Sequence, residues 1–136
     1  MGDAAYRAAL DYLYARTGGG TRYGLERTRA LLAAMGDPHL ALPVLHVAGT
    51  NGKGSTVATL EALLRAGGWR VARYTSPHLV DFRERIVVDR RAIPAEEVAE
   101  FVARWTPEAE RIGATFFEVT TAMAFDHFAR AGADVA

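Results

Sequence analysis

Apolar residues recur along this chain at two periods, and the alternation between them sets out its elements. Tyr6, Leu10 and Leu13 in "AAYRAALDYLYAR" fall three or four apart, which predicts a helix over residues 3–16. The glycines of "TGGGTRYG" (17–24) predict a loop. "LERTRALLAAMG" resumes the helical spacing and stops at Gly36, with Pro38 just beyond. "PVLHVAG" is a short valine-rich run that predicts a buried strand, with His46 packed inside it. "STVATLEALLRAGG" puts Val57, Leu60 and Leu64 on one helical face and ends on a glycine pair suited to a C-cap. "RVARYTS" reads as the next strand and "ERIVVDRRAIP" as a strand and turn, with Glu84 and Arg85 structural at its start. "PAEEVAEFVARW" opens with a proline and two acids, both favourable at a helix N-terminus. "TFFEVTTAMAFDHFARAG" is a further striped helix, and "ADVA" begins another apolar run. Strands alternating with helices predict an α/β fold, a parallel sheet with flanking helices. A last strand of four residues leads us to expect a piece of a longer protein with an exposed sheet edge.

Composition narrows the class. Half of the 136 residues are hydrophobic and 24% are charged, ordinary values for a globular domain. A formal net charge of zero argues against nucleic acid or an anionic membrane as partner, since both ask for a basic face. With no cysteine there is neither disulfide nor thiol chemistry. The N-terminus lacks an apolar signal core, and a cytoplasmic protein is the default expectation. His39, His46 and His127 do not have metal-ligand spacing.

Charge type changes the picture more than charge balance does. Of 16 basic residues only Lys53 is a lysine, and it lies between Gly52 and Gly54 in "HVAGTNGKGSTV". A strand, a glycine-rich turn and a helix follow one another here, the order a phosphate cradle needs. Gly49, Gly52 and Gly54 let backbone N–H groups converge on an anion, and the helix N-terminus adds more donors. Thr50 and Asn51 lie within the loop. A lysine places a compact charge among backbone amides where the wide guanidinium of arginine fits poorly. Ser55 or Thr56 can offer a hydroxyl to Mg²⁺. Gly49 and Gly52 enclose two residues where the common phosphate loop has four before its Gly-Lys pair, so an ordinary pattern search passes over the site. The residues by themselves predict a nucleotide phosphate site.

The sequence carries a family likeness. "HVAGTNGKGST" resembles the shortened ATP loop of the Mur ligase superfamily. "YTSPHLVDFRERI", together with "GLERTRALLAAMGDP" and "FFEVTTAMAFDHF", resembles the bifunctional dihydrofolate synthase/folylpolyglutamate synthase branch, in order over nearly the whole chain. The resemblance implies residues 1–136 are the N-terminal part of the ATP-binding Mur ligase central domain. A helical segment 1–42 would precede a P-loop α/β segment 43–136, without the C-terminal glutamate-binding domain. It implies an ATP- and Mg²⁺-dependent ligase. A carboxylate of dihydropteroate or folate would be activated as an acyl phosphate and attacked by the amino group of L-glutamate. Lys53 would be catalytic, stabilising the transferring phosphoryl group.

The same likeness assigns Ser76 as a Mg²⁺ ligand beside Ser55, where a Ser-Pro turn is the plain alternative. Arg27, Thr115, Phe117 and Glu118 would line the pterin pocket. Read alone, Phe116 and Phe117 are core, Glu118 is an N-terminal helix charge, and Arg27 is a solvated helix residue. His78 would touch substrate or order its loop. The loop Thr17–Tyr23 would be a flap over the pterin. The full-length protein would be a monomer, and the 136-residue chain alone would not turn over. Another Mur-type ligase, acting on peptidoglycan or cyanophycin, and a non-catalytic nucleotide-binding module are the alternatives.

Overall fold

The computed structural model describes residues 2–17, 24–49, 51–78 and 80–136. Among these residues there are five helices: α1 (Gly2–Ala15), α2 (Glu26–Ala34), α3 (Lys53–Ala66), α4 (Ala95–Ile112) and α5 (Phe116–Arg130). Three short strands, β1 (Ala72–Tyr74), β2 (Ile86–Val88) and β3 (Arg91–Ala92), complete the regular structure with 3-10 turns at Pro38–Ala41 and Phe82–Arg85. No helix among the described residues is long and apolar enough to cross a membrane.

The chain divides by its internal contacts into two units that interleave in sequence, where the reading from sequence cuts it once between 42 and 43. One unit is Met1–His39 with Pro94–Asp126, and the other is Leu40–Ile93 with His127–Ala136. In the first, α1 and α2 pack on α4. Leu13 of α1 and Leu31 of α2 are fully buried, as are Val98 and, nearly so, Phe101 on one face of α4. Each such side chain contributes about 1.5–3 kcal/mol. Pro94 leads into α4, Glu96 and Glu97 occupy its first turn, and Gly113 ends it at φ +78°, a left-handed conformation that suits glycine. The proline and the acids are the signals read from the sequence, which follows this helix only to Trp105, whereas α4 continues through Pro107 to Ile112.

In the second unit the sheet has the order β1-β2-β3 and is antiparallel throughout. Ala72 pairs with Val88, and Val88 pairs with Arg91 across a two-residue turn. Asp89 and Arg90 form that turn with φ of +52° and +65°, the paired left-handed conformation that matches strand twist. The expected α/β class stands, but the expected parallel sheet needs correction. Among the described residues parallel pairing is confined to 134–136, which bond on one side to 70–72 and on the other to 43–45. Val71 bridges Val135, Leu45 N–H donates to the Ala136 carbonyl, and Ala136 N–H donates to Pro43.

The expected buried strand "PVLHVAG" is likewise corrected. It has no regular secondary structure, with Val44, Leu45 and His46 exposed. Its apolar, β-branched composition states a preference, yet a strand also needs a ladder. Residues 43–48 make only two such bonds to the described chain. On α3 the stripe Val57, Leu60 and Leu64 is half-buried, and Glu61 is the buried residue of that helix.

Candidate functional site

The glycine loop leads straight into a helix. Gly52 is the N-cap of α3 with φ +77° and ψ +5°, and Lys53 is the first helical residue. Gly49 also has positive φ, +147°. A Cβ at Gly52 would meet nothing within 4 Å, and one at Gly49 only the Lys53 Cγ at 4.0 Å. Conformation, not crowding, therefore asks for glycine at both positions. The Gly52 carbonyl already accepts the Thr56 N–H at 2.9 Å. Among the described residues the first turn of α3 has no acidic residue and no side-chain cap, which leaves its leading N–H groups facing an anion-favouring helix terminus. Asn51, Lys53, Gly54, Ser55 and Thr56 are all exposed. Thr50 lies outside the described residues.

After β1 the chain turns through Ser76 and a cis peptide bond to Pro77. Ser76 is exposed and His78 is half-buried. The following segment is tightly cross-linked. Asp81 accepts the Arg83 N–H at 3.1 Å, and Glu84 accepts the Asp81 and Val80 N–H groups at 2.9 and 3.0 Å, a capping box around the 3-10 turn. Phe82 is 1% exposed and anchors the turn. Arg85 donates from Nε to His78 Nδ1 at 2.8 Å, and its carbonyl accepts the Thr75 N–H at 3.0 Å. Glu84 and Arg85 make structural contacts, as read from sequence, and Arg85 ties His78 to this segment.

In the helical unit, Arg27, Thr115 and Glu118 come together. Arg27 Nε donates to both carboxylate oxygens of Glu118, at 2.9 and 3.0 Å. The Thr115 N–H donates to Glu118 Oε1 at 2.9 Å, and the Thr115 hydroxyl faces the Glu118 N–H at 3.4 Å, a reciprocal cap at the start of α5. Burial acts to raise the Glu118 carboxyl. The hydrogen bond from Arg27, the Thr115 amide and the Arg27 charge outweigh it, so the group is held below its usual range. Arg27 Nη2 is buried with no hydrogen-bond partner among the described residues. Phe116 and Phe117 part company: Phe116 is buried and stacks on Tyr14 at 5.4 Å, whereas Phe117 is 59% exposed.

The residues expected at the site thus fall into two sets. Arg27, Thr115, Phe117 and Glu118 belong to the helical unit, and Gly49–Thr56, Ser76 and His78 to the strand-bearing unit. Most of the expected flap, residues 18–23, lies outside the described residues. Sequence reasoning overlooked Arg16, which reaches the Ala114 carbonyl just before Thr115 and pairs with Glu110 at 3.1 Å and Tyr12 at 3.3 Å. These side chains line a cleft of about 310 Å³. The i, i+4 spacing of Tyr12 and Arg16 was the available signal.

No family model matches the chain. It is 43% identical over 136 residues to a probable bifunctional folylpolyglutamate synthase/dihydropteroate synthase of Haloferax volcanii, covering 96% of this chain and 16% of that protein. It is 39% identical over 131 residues to a dihydrofolate synthase/folylpolyglutamate synthase of Bacillus subtilis, covering 92% of this chain and 30% of the other. The structure superposes on Mycobacterium tuberculosis folylpolyglutamate synthase complexed with ADP with a TM-score of 0.90 and 34% identity, covering all of this chain and 32% of that one. The chain therefore spans less than a third of the length of each of these relatives.

Proposed function

We propose, from the homology of this chain to the folylpolyglutamate/dihydrofolate synthase family, that it supplies the nucleotide-phosphate loop and part of the pterin-binding surface of an ATP-dependent ligase. The reaction joins L-glutamate to the carboxylate of dihydropteroate or folate. The observation that carries this reading is the loop: two positive-φ glycines deliver Lys53 to the uncapped start of α3, in a chain that superposes on an ADP-bound relative.

The residue roles follow from chemistry. Backbone N–H groups of Gly49–Ser55 cradle phosphate oxygens, and Lys53 neutralises charge on the group being transferred. The Ser55 and Ser76 hydroxyls are hard oxygen donors that suit Mg²⁺, with the nucleotide phosphates supplying the negative charge that neutral hydroxyls lack. Bound there, Mg²⁺ would neutralise the phosphates. Phe117 offers an exposed aromatic face to a flat heterocycle. Glu118, held ionised, offers acceptor capacity for amino and ring N–H donors. The Mur-ligase central-domain assignment, with helical segment 1–42 and P-loop segment 43–136, is part of this proposal.

Separate calorimetric titrations of AMPPCP with Mg²⁺ and of folate into the purified chain test the reading. Saturable binding of both is expected. Binding of nucleotide alone favours a nucleotide-binding module instead. In a phosphate-release assay with ATP, glutamate and dihydropteroate, the chain by itself is expected to show no turnover.

A further inference from the structure

The turn carrying Ser76 and His78 is gripped at both ends by one residue. The Arg85 carbonyl takes the Thr75 N–H at 3.0 Å, and its Nε gives a hydrogen bond to His78 Nδ1 at 2.8 Å. Only Ser76 and Pro77 lie between the two contacts. Arg85 is itself fixed. It is 7% exposed, its guanidinium lies over the Phe82 ring at 5.9 Å, and it leads directly into β2. His78 meets the same Phe82 ring edge-on at 6.3 Å. The arrangement therefore ties the turn to a buried aromatic anchor.

The donor in this contact settles the imidazole tautomer. A guanidinium has N–H donors and no acceptor, so the His78 nitrogen facing it must hold a lone pair. With Nδ1 as acceptor, the proton of neutral His78 sits on Nε2. A protonated Nε2 has no lone pair for a metal ion or for taking up a proton. It can only donate.

We propose that Arg85 is a positioning residue that clamps the Thr75–His78 turn and fixes His78 as an Nε2–H donor. His78 then serves the bound ligand as a hydrogen-bond donor to a carboxylate or phosphoryl oxygen, and acts neither as a metal ligand nor as a general base. The donor role rests on the ligase reading above, whereas the clamp does not.

Nitrogen-15 spectra of the labelled chain test the clamp without any ligand. His78 is expected to show an unprotonated Nδ1 and a protonated Nε2. Arg85→Met should mix the tautomers, and Arg85→Lys, which keeps a donor, should largely restore the single form. Far-UV circular dichroism of both variants checks that the fold is retained. A protonated Nδ1 in the unsubstituted chain, or an unchanged spectrum in folded Arg85→Met, overturns the clamp.

The donor role is read by titrating AMPPCP–Mg²⁺ and folate separately. His78→Gln places an amide N–H near the Nε2 position and should hold affinity near that of the unsubstituted chain. His78→Asn places it near Nδ1 and should weaken one of the two ligands about tenfold, as loss of a hydrogen bond to a charged group would. The ligand affected identifies the acceptor as phosphoryl or carboxylate. Equal affinities of the Gln and Asn variants for both ligands overturn the donor role. An unsubstituted chain that binds neither ligand overturns the ligase reading and the donor role together, and the nitrogen spectra still decide the clamp.

Discussion

The glycine loop before α3 and the Arg27–Thr115–Glu118 corner before α5 are both helix N-termini, and they resolve the same problem in opposite ways. At α5 the chain answers its own orphan N–H groups. Thr115 and Glu118 cap each other, and Arg27 closes the carboxylate. At α3 no side chain among the described residues caps the helix, and the neighbouring described residues are exposed. An internally satisfied terminus contributes stability, whereas an unsatisfied one contributes a binding site. The corner should therefore respond to substitution through folding as well as through folate affinity, and the loop mainly through nucleotide affinity.

The largest effect should come from the corner's packing. Phe116→Ala removes a buried ring and should destabilise the chain by about 3–5 kcal/mol in urea unfolding. Phe117→Ala, one residue on, should stay within about 0.5 kcal/mol. If the two cost the same, the division between a core ring and a ligand-facing ring fails. Next, Glu118→Ala removes a cap and leaves the Arg27 guanidinium without its partner, with an expected cost of about 2–4 kcal/mol.

Acid should find the same group. The Glu118 carboxyl is lowered in the folded state, so its stabilisation is complete above the ordinary glutamate range. That stabilisation is lost as pH falls from there through the lower folded value. An unfolding series with pH should show this acid loss in the unsubstituted chain, and a smaller loss in Glu118→Gln. Gly52→Ala strains a left-handed position and should cost about 1–2 kcal/mol. The smallest stability change, within about 0.5 kcal/mol, belongs to exposed Lys53→Ala.

Much of this division was legible in the sequence. Periodicity and helix-end signals located the five helices of the described residues, although the stripe of α3 is only half-buried. The lone lysine between glycines marked the loop. Glu118 read as an acid at a helix N-terminus, which is where it lies in α5, but its reciprocal contact with Thr115 was not read. What stayed hidden depends on partners distant in sequence. Arg27 looks like a surface arginine until α2 brings it to Glu118, 91 residues away. Residues 43–48 have the composition of a buried strand, but a strand is decided by its neighbours. The Asp89–Arg90 turn contains no glycine to announce its left-handed residues. Arg85 could be read as structural, but nothing local says that it grips both ends of the Thr75–His78 turn.

If the loop before α3 is a nucleotide-phosphate site, its function is separable from folding. Calorimetric titration of AMPPCP with Mg²⁺ into the unsubstituted chain and into Lys53→Ala, with thermal unfolding of both, tests it most directly. Saturable binding that weakens at least about tenfold in Lys53→Ala, as loss of a charge-assisted phosphate contact would cause, with no change in Tm, is the predicted result. No saturable binding by the unsubstituted chain, or equal affinity in the two proteins, would contradict it.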